Sequence, residues 1–218
     1  MLAGEGVIGI WNGIAPEARA QFYDWHINEH MPERVGIPGF RRGRRYIAAD
    51  AATHPEFFTL YEADTPEVVK GMDYANRLNN PTPWTKATTA QFRDTFRSLA
   101  RAVHSAGPGM GAAMLTLRFD LDDPAGLLAL LREAERAARV TGVHLCAADR
   151  AASEVRTAET QGRTDVQAPP AWFAMVEATD AAALAGLLPG AALGAAGVRG
   201  VVRGVYLLEH VRGKTGWG

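Results

Sequence analysis

The sequence predicts an α+β protein in which one βαββαβ plan runs twice along the chain. Three observations predict it. Two short β-rich runs, residues 6–11 and 112–117, each precede a helical pattern opened by a proline, Pro16 and Pro124. Residues 57–63 and 172–178 match in character, with Glu62 falling on Glu177. The halves also close alike, on residues 104–107 and 210–213, each opening on histidine and ending on glycine.

The elements follow in order. The helices opened by Pro16 and Pro124 are expected to end near Gly39 and Gly142. Phe40 to Ile47 is the second strand of the first half, and helical stretches follow the matched strands from Pro66 and from Asp180. The second half gains residues 153–170, rich in Thr, Gln, Gly and Pro, which read as a loop. In the same region the first half has Asn79-Asn-Pro-Thr-Pro-Trp84. The βαββαβ order is the ferredoxin-like plan, with both helices on one face of a four-stranded antiparallel sheet. Its other face is apolar and must be covered. Two tandem units, residues 1–107 and 108–218, are therefore expected to turn their sheets toward each other. The space between the sheets is the expected ligand cavity.

Composition bounds the function. The chain has 218 residues, 47% of them apolar, and a formal net charge of -1, so no global field recruits nucleic acid or an anionic membrane. The single cysteine, Cys146, allows no intrachain disulfide and fits a reducing compartment. The N-terminal residues carry neither a basic nor an apolar signal-like stretch. Residues 181–198 are uncharged, but they are mostly Ala and Gly around Pro189 and read as a buried helix and a turn. The expectation is a soluble cytoplasmic protein, monomer or homodimer, whose partner is a small hydrophobic ligand.

Polar chemistry concentrates in Phe22-Tyr-Asp-Trp-His26-Ile-Asn-Glu29-His30-Met-Pro32 and in the strand Phe40-Arg-Arg-Gly-Arg-Arg-Tyr46. His26 and His30 stand four residues apart and share one helix face. A neutral imidazole can take or give a proton, so His30, supported by His26, is the candidate acid/base, with Glu29 or Asp24 to orient a ring. The alternative is a histidine capping the last helical turn before Pro32. The spacing His26-x-x-Glu29-His30 also spells an inverted zinc-protease signature. Pro32 is expected to end that helix, and third ligands such as Glu62 fall on strands, so no metal site is expected. Period two places Phe40, Arg42, Arg44 and Tyr46 on one strand face, and Arg41, Gly43, Arg45 and Ile47 on the other. Arg42 or Arg44 could hold an anionic substrate; ion pairs with Glu62 and Asp64 are the alternative. Trp11, Tyr61, Tyr74 and Trp84 are candidate aromatic walls.

The helix with Trp-His-x-x-Glu-His-Met-Pro, then Ile-Pro-Gly-Phe and an arginine-rich strand, resembles the dimeric α+β barrel superfamily, most closely its EthD-like branch. The resemblance covers residues 5–107 and is only a pattern match beyond. It implies a pseudo-dimeric barrel around a small hydrophobic ligand, with chemistry similar to small cyclases, decarboxylases and isomerases, His30 in the place of the family's histidine, and no required cofactor. It leaves open a non-catalytic binding protein, and a haem or metal enzyme. The second unit's first helix has no histidine, so one site per chain is expected. Residues 1–107 alone should leave an apolar sheet face wet and self-associate or fail to fold. A stable monomeric fragment in sedimentation analysis would contradict facing sheets.

Overall fold

The structure, a computed structural model, describes residues 1–215. The first half runs β1 (Gly6–Ile14), α1 (Arg19–Trp25), a π turn (His26–His30), α2 (Met31–Gly36), β2 (Phe40–Ala48), β3 (Phe57–Ala63), α3 (Pro66–Lys70), α4 (Met72–Asn79), α5 (Pro83–Thr89) and β4 (Phe92–Ala106). The second runs β5 (Ala113–Asp120), α6 (Ala125–Ala134), β6 (Val140–Ala148), α7 (Arg150–Glu154), β7 (Trp172–Ala178), α8 (Gly190–Ala195) and β8 (Arg199–Gly213). The strands lie in the circular order β4-β1-β3-β2-β8-β5-β7-β6. Each half thus contributes one ferredoxin-like sheet. The two sheets face each other and are zipped antiparallel at both edges, β2 on β8 and β4 on β6, which closes the barrel. Closure removes the exposed strand edges that two separate sheets would leave.

Alternation along the strands sorts the side chains. β1 sends Val7 and Trp11 into the barrel and Ile8 outward beneath the helices. β3 sends Phe58 and Leu60 inward and Tyr61 outward. Aromatic rings fill the interior: Trp11 stacks on Phe58 at 4.8 Å and meets Phe173 edge-on at 5.4 Å. An eight-stranded barrel is just wide enough for side chains to fill it. The expected cavity between the sheets is therefore occupied by the protein's own residues.

Four local expectations change. The first helix does not stop at Pro32. It widens into the π turn, where the Met31 N–H bonds to the His26 carbonyl, and continues as α2 to Gly36. A proline ring clashes with the carbonyl four residues back; the wider turn relieves this and lets Pro32 open the new α segment. Second, α6 ends at Ala134 rather than near Gly142, because a turn through Arg139, at φ 67°, reverses the chain into β6. Third, a bulge between Phe40 and Arg42 on β2 breaks period two. Phe40 joins the helix-side core, while Arg42, Arg44 and Tyr46 point into the barrel. Fourth, residues 181–198 form a 3-10 turn and the short α8 rather than one buried helix; Leu184, Leu188, Leu193 and Val198 are the buried members.

Glycine is required where β2 begins and where it passes under the helices. Gly39 sits at φ +82°, and a Cβ there would lie 2.7 Å from a Val68 methyl. At Gly43 a Cβ would press on Tyr61 at 2.9 Å and Met31 at 3.0 Å, so glycine lets both pack against the strand.

One end of the barrel interior holds a buried ion network. Arg44 Nη1 donates to Glu177 Oε2 at 2.7 Å, and its Nε lies 2.9 Å from Glu62 Oε1. Arg42 donates twice to Glu62, at 2.9 and 2.7 Å. His144 Nε2 lies 3.1 Å from Glu177 Oε1, and Ser105 Oγ 2.9 Å from His144 Nδ1. Burial works to raise the Glu177 carboxyl, but His144 and Arg44 outweigh it and hold the group at about 2. Its pairing energy is therefore present above the ordinary carboxylate value of 4.5 and is lost as pH falls toward 2. Arg44→Met leaves two buried carboxylates without their shared cation. It should cost about 3–5 kcal/mol in urea denaturation at neutral pH. Adding Glu177→Gln should recover part of that loss; equal stability of wild type and single variant would contradict this role.

Candidate functional site

The residues read as one site fall into two places. Trp11, Arg42, Arg44 and Tyr46 belong to the barrel interior. All four arginines of the strand are ion-paired: Arg41 with Asp64, Arg42 with Glu62, Arg44 with Glu62 and Glu177, and Arg45 with Glu209. The structure thus takes the ion-pair alternative for this strand. Trp84, half-buried, packs beside Ile14 and Phe22. None of these lines the cavity described next.

A cavity of about 300 Å³ lies on the helix side of the first sheet, outside the barrel. Its floor is Ile10 on β1, Tyr61 on β3, and Thr95 and Arg97 on β4. Trp25, His30 and Arg34 form one wall, and Tyr74 and Leu78 of α4 another. The insertion after α7 covers it, through Glu159, Arg163 and Gln167 among others. The loop expected at 153–170 is thus a strap from the second half laid over the first. It is tied down by Thr95 N–H to the Asp165 carbonyl at 2.9 Å, Gln167 N–H to the Thr95 carbonyl at 2.8 Å, and Glu159 N–H to the Leu78 carbonyl at 3.0 Å. A second cleft, of about 570 Å³, shares Phe92, Glu159 and Arg163 with the cavity, so these three form a wall common to both.

His30 sits mid-helix, so the expected dipole cap before Pro32 does not exist. Its ring lies on Trp25, centroids 4.2 Å apart, and 6.4 Å from the ring of Tyr61. His26 is one turn back at 5.6 Å, buried against Phe22, and does not line the cavity. Neither carboxylate expected to orient a ring does so. Glu29 accepts from the hydroxyls of Thr82, at 2.6 Å, and Thr85, at 3.0 Å, and so ties α5 to the helix. Asp24 accepts from Asn28 at the surface. Among the described residues no group of three His, Cys, Asp or Glu is arranged to hold a metal ion. The cavity is at the small end for organic ligands and suits a one- or two-ring molecule.

The electrostatics set protonation states. Burial first, then the charge of Arg34, hold the His30 imidazole well below its ordinary value. Burial, with Arg45, His210 and Arg34, does the same for His26. Both are neutral near pH 7. Burial raises the Tyr61 phenol, which stays protonated and able to donate. Burial opposes the charge of Arg34, but its pairing with Glu159 outweighs this and keeps it a cation. His30 Nδ1, the Tyr61 hydroxyl and Arg97 Nη1 are buried without a partner in the protein. Buried polar atoms normally find partners, and these three belong to residues that line one cavity, where a ligand's polar groups could supply them.

Of the aromatic walls read from sequence, Tyr61 and Tyr74 line the cavity. Trp25, Arg34 and Arg97 were missed as site residues. Trp25 and Arg34 stand in the histidine motif itself; Arg97 lies in a long strand with no distinguishing spacing.

Buried neutral histidines make the fold acid-sensitive. Above about 6.5 neither folded nor unfolded chain is protonated at these rings. Below it the unfolded chain takes up protons that the folded chain refuses. Stability then falls by up to about 1.4 kcal/mol per pH unit for each such histidine. Denaturation between pH 7.5 and 5.5 should show this slope, and His26→Phe should flatten it. An unchanged slope would mean His26 titrates freely in the folded chain.

No protein-family model matches the chain, and no curated protein matches it in sequence. Solved structures do match in fold. An anthrone oxidase-like protein superposes with a TM-score of 0.60 at 10% identity, over 95% of this chain and 92% of its own. A candidate monooxygenase from Fusobacterium nucleatum gives 0.57 at 8% identity, over 99% and 97%. A candidate chlorite dismutase gives 0.56 at 10%, over 95% and 96%. The eight-stranded closure, the strand order and these full-length superpositions establish that the chain has the dimeric α+β barrel fold, with both halves of the barrel in one polypeptide.

Proposed function

We propose that the chain is a cofactor-independent enzyme acting by acid/base chemistry on a small hydrophobic carbonyl or aromatic compound, of the cyclase, isomerase or decarboxylase type that the EthD-like resemblance implies. Residues 1–107 carry the acid/base group in this reading, and residues 108–218 supply the strap. The supporting observation is the pairing of an unpartnered neutral imidazole, His30, with an unpartnered phenol, Tyr61, on the aromatic side of one cavity.

The chemistry follows from those two groups. A ligand carbonyl that accepts from the Tyr61 hydroxyl is polarised, and the adjacent C–H becomes acidic. His30 takes that proton, the electron pair moves into an enolate, and the phenol holds the oxyanion. The imidazolium formed lies buried beside Arg34 and returns its proton readily, to another carbon in an isomerisation or to the ring-closed product in a cyclisation. Trp25 and Leu78 exclude water from the exchange.

No helix among the described residues is long and apolar enough to cross a membrane. The single buried cysteine supports a reducing, cytoplasmic setting.

The test is hydrogen–deuterium exchange at the α-carbon of small aryl ketones, followed by NMR in D2O. Wild-type protein should accelerate exchange. His30→Gln should abolish the acceleration while leaving the thermal midpoint within a few degrees, and Tyr61→Phe should lower it by about 10²–10³-fold. Exchange should stay level from pH 8 to pH 6, because His30 is already neutral there. Binding of the ketones with no exchange would favour the binding-protein alternative, and undiminished exchange in His30→Gln would end the assignment of His30.

A further inference from the structure

The cavity has a charge of its own that the acid/base pair does not use. Six charged side chains line it: Arg34, Arg97, Arg156 and Arg163 against Glu154 and Glu159. Arg34 pairs with Glu159, and Arg163 with Asp165 of the neighbouring cleft. Arg97 has no carboxylate partner among the described residues. Its Nη2 donates instead to two strap carbonyls, Ser153 at 3.2 Å and Val155 at 3.4 Å. Those bonds fix the plane of the guanidinium without neutralising it. Its Nη1 is buried and unpartnered. A held guanidinium edge with no carboxylate partner, set beside the aromatic wall of the cavity, is a recognition element for an anion, and a guanidinium fits a carboxylate better than it fits a point charge.

We propose that Arg97 makes the cavity selective for a carboxylate-bearing ligand: a small aromatic acid whose ring lies among Trp25, Tyr61 and Leu78 and whose carboxylate meets Arg97. The inference rests on the reading of this cavity as the ligand site, but it concerns ground-state binding and is independent of proton transfer by His30. Arg97 enters from the sheet floor, whereas His30 enters from the helix wall. A ligand held by its carboxylate at Arg97 therefore presents a different part of itself to the imidazole. The strap takes part as well, since the carbonyls that orient Arg97 come from the end of α7 and the residue after it, in the second half of the chain. The site is accordingly complete only when both halves are in place.

The probes are phenylacetate and its neutral isostere phenylacetamide, titrated at neutral pH with tryptophan fluorescence as the readout, since Trp25 lines the cavity. Phenylacetate should bind roughly tenfold or more tighter than the amide, the advantage of a charge-assisted over a neutral hydrogen bond in a buried site. Arg97→Met should bring the two affinities together, and Arg97→Lys should keep the acid preferred by a smaller factor. Thermal melts of both variants separate loss of recognition from loss of the strap, and Arg97→Lys carries the test if Arg97→Met unfolds. Equal binding of acid and amide to the wild type, or an acid preference that survives in a folded Arg97→Met protein, overturns the inference and leaves the cavity reading standing. Binding of neither probe overturns both. Acid-selective binding in a protein that fails to accelerate ketone exchange upholds Arg97 and removes only the catalytic role of His30.

Discussion

Two buried carboxylates, Glu62 and Glu177, face one another across the barrel, and Arg44 stands between them with no exposed surface. Each glutamate belongs to the equivalent strand of its own half, β3 and β7. Two ionised carboxylates in an apolar interior are tolerable only with a cation and donors at hand. Arg44 and Arg42 supply the charge. The Ala3 N–H, at 2.7 Å, and the Gly111 N–H, at 3.0 Å, supply further donors. The start of the chain and the connection between halves are thereby pinned to the same end of the barrel. The network also reaches both seams, through β2 at one and through Ser105 and His144 at the other. A one-residue slip of β2 would carry Arg44 to the outer face and strand both glutamates. The value of such a network lies less in net stability, which an apolar filling could match, than in fixing register and the pairing of halves.

That arrangement decides where a ligand can go. With one end of the interior occupied by ions and the rest by Trp11, Phe58, Phe173 and their neighbours, the barrel has its own filling. Room exists instead on the outer, helix-covered face of the first sheet. There the helix pair is incomplete as a cover, and residues 153–170 of the second half lie across the gap. On the second sheet, α6 packs Leu127 and Leu131 onto the strands, in one cluster with Leu184, Leu188 and Leu193. The asymmetry between the halves is thus one of coverage as well as of histidines.

Much of the fold was legible. The bounds of β3 and β7 follow from a run of apolar residues cut off by polar turns, and their shared glutamate marked the duplication correctly. Pro66, Pro124 and Asp180 marked where later helical segments open, because their effects are local. What was not legible depended on contacts distant in sequence. The strand alternation correctly placed Arg42 and Arg44 on one face, but whether that face met a ligand or a pair of glutamates was set by β7, more than a hundred residues on. The bulge at Arg41 flipped Phe40 alone; Pro38 and Gly39 just before it mark a turn, but nothing in them fixes which face Phe40 takes. The site was half legible: His30, Tyr61 and Tyr74 line the cavity, but the strap that roofs it comes from a stretch whose composition says only that it is a loop, and the carbonyls that hold Arg97 come from the end of α7 and the residue after it.

The π turn is the point where local and distant constraints meet. Pro32 cannot continue a regular helix, and an abrupt stop at His30 would leave the last carbonyls of that turn without helical partners. Widening the turn keeps the chain helical, carries Arg34 into the buried layer where Glu159 meets it, and sets both histidines against aromatic rings. A regular α-helix of the same sequence would rotate everything after His30 by part of a turn, moving Arg34 away from the strap and Met31 away from Gly43. The proline therefore does not end the element, as local propensity alone would have it. It accompanies a helical defect that seats Met31 and Arg34, while His30 lines the cavity and its neighbour His26 remains packed behind it.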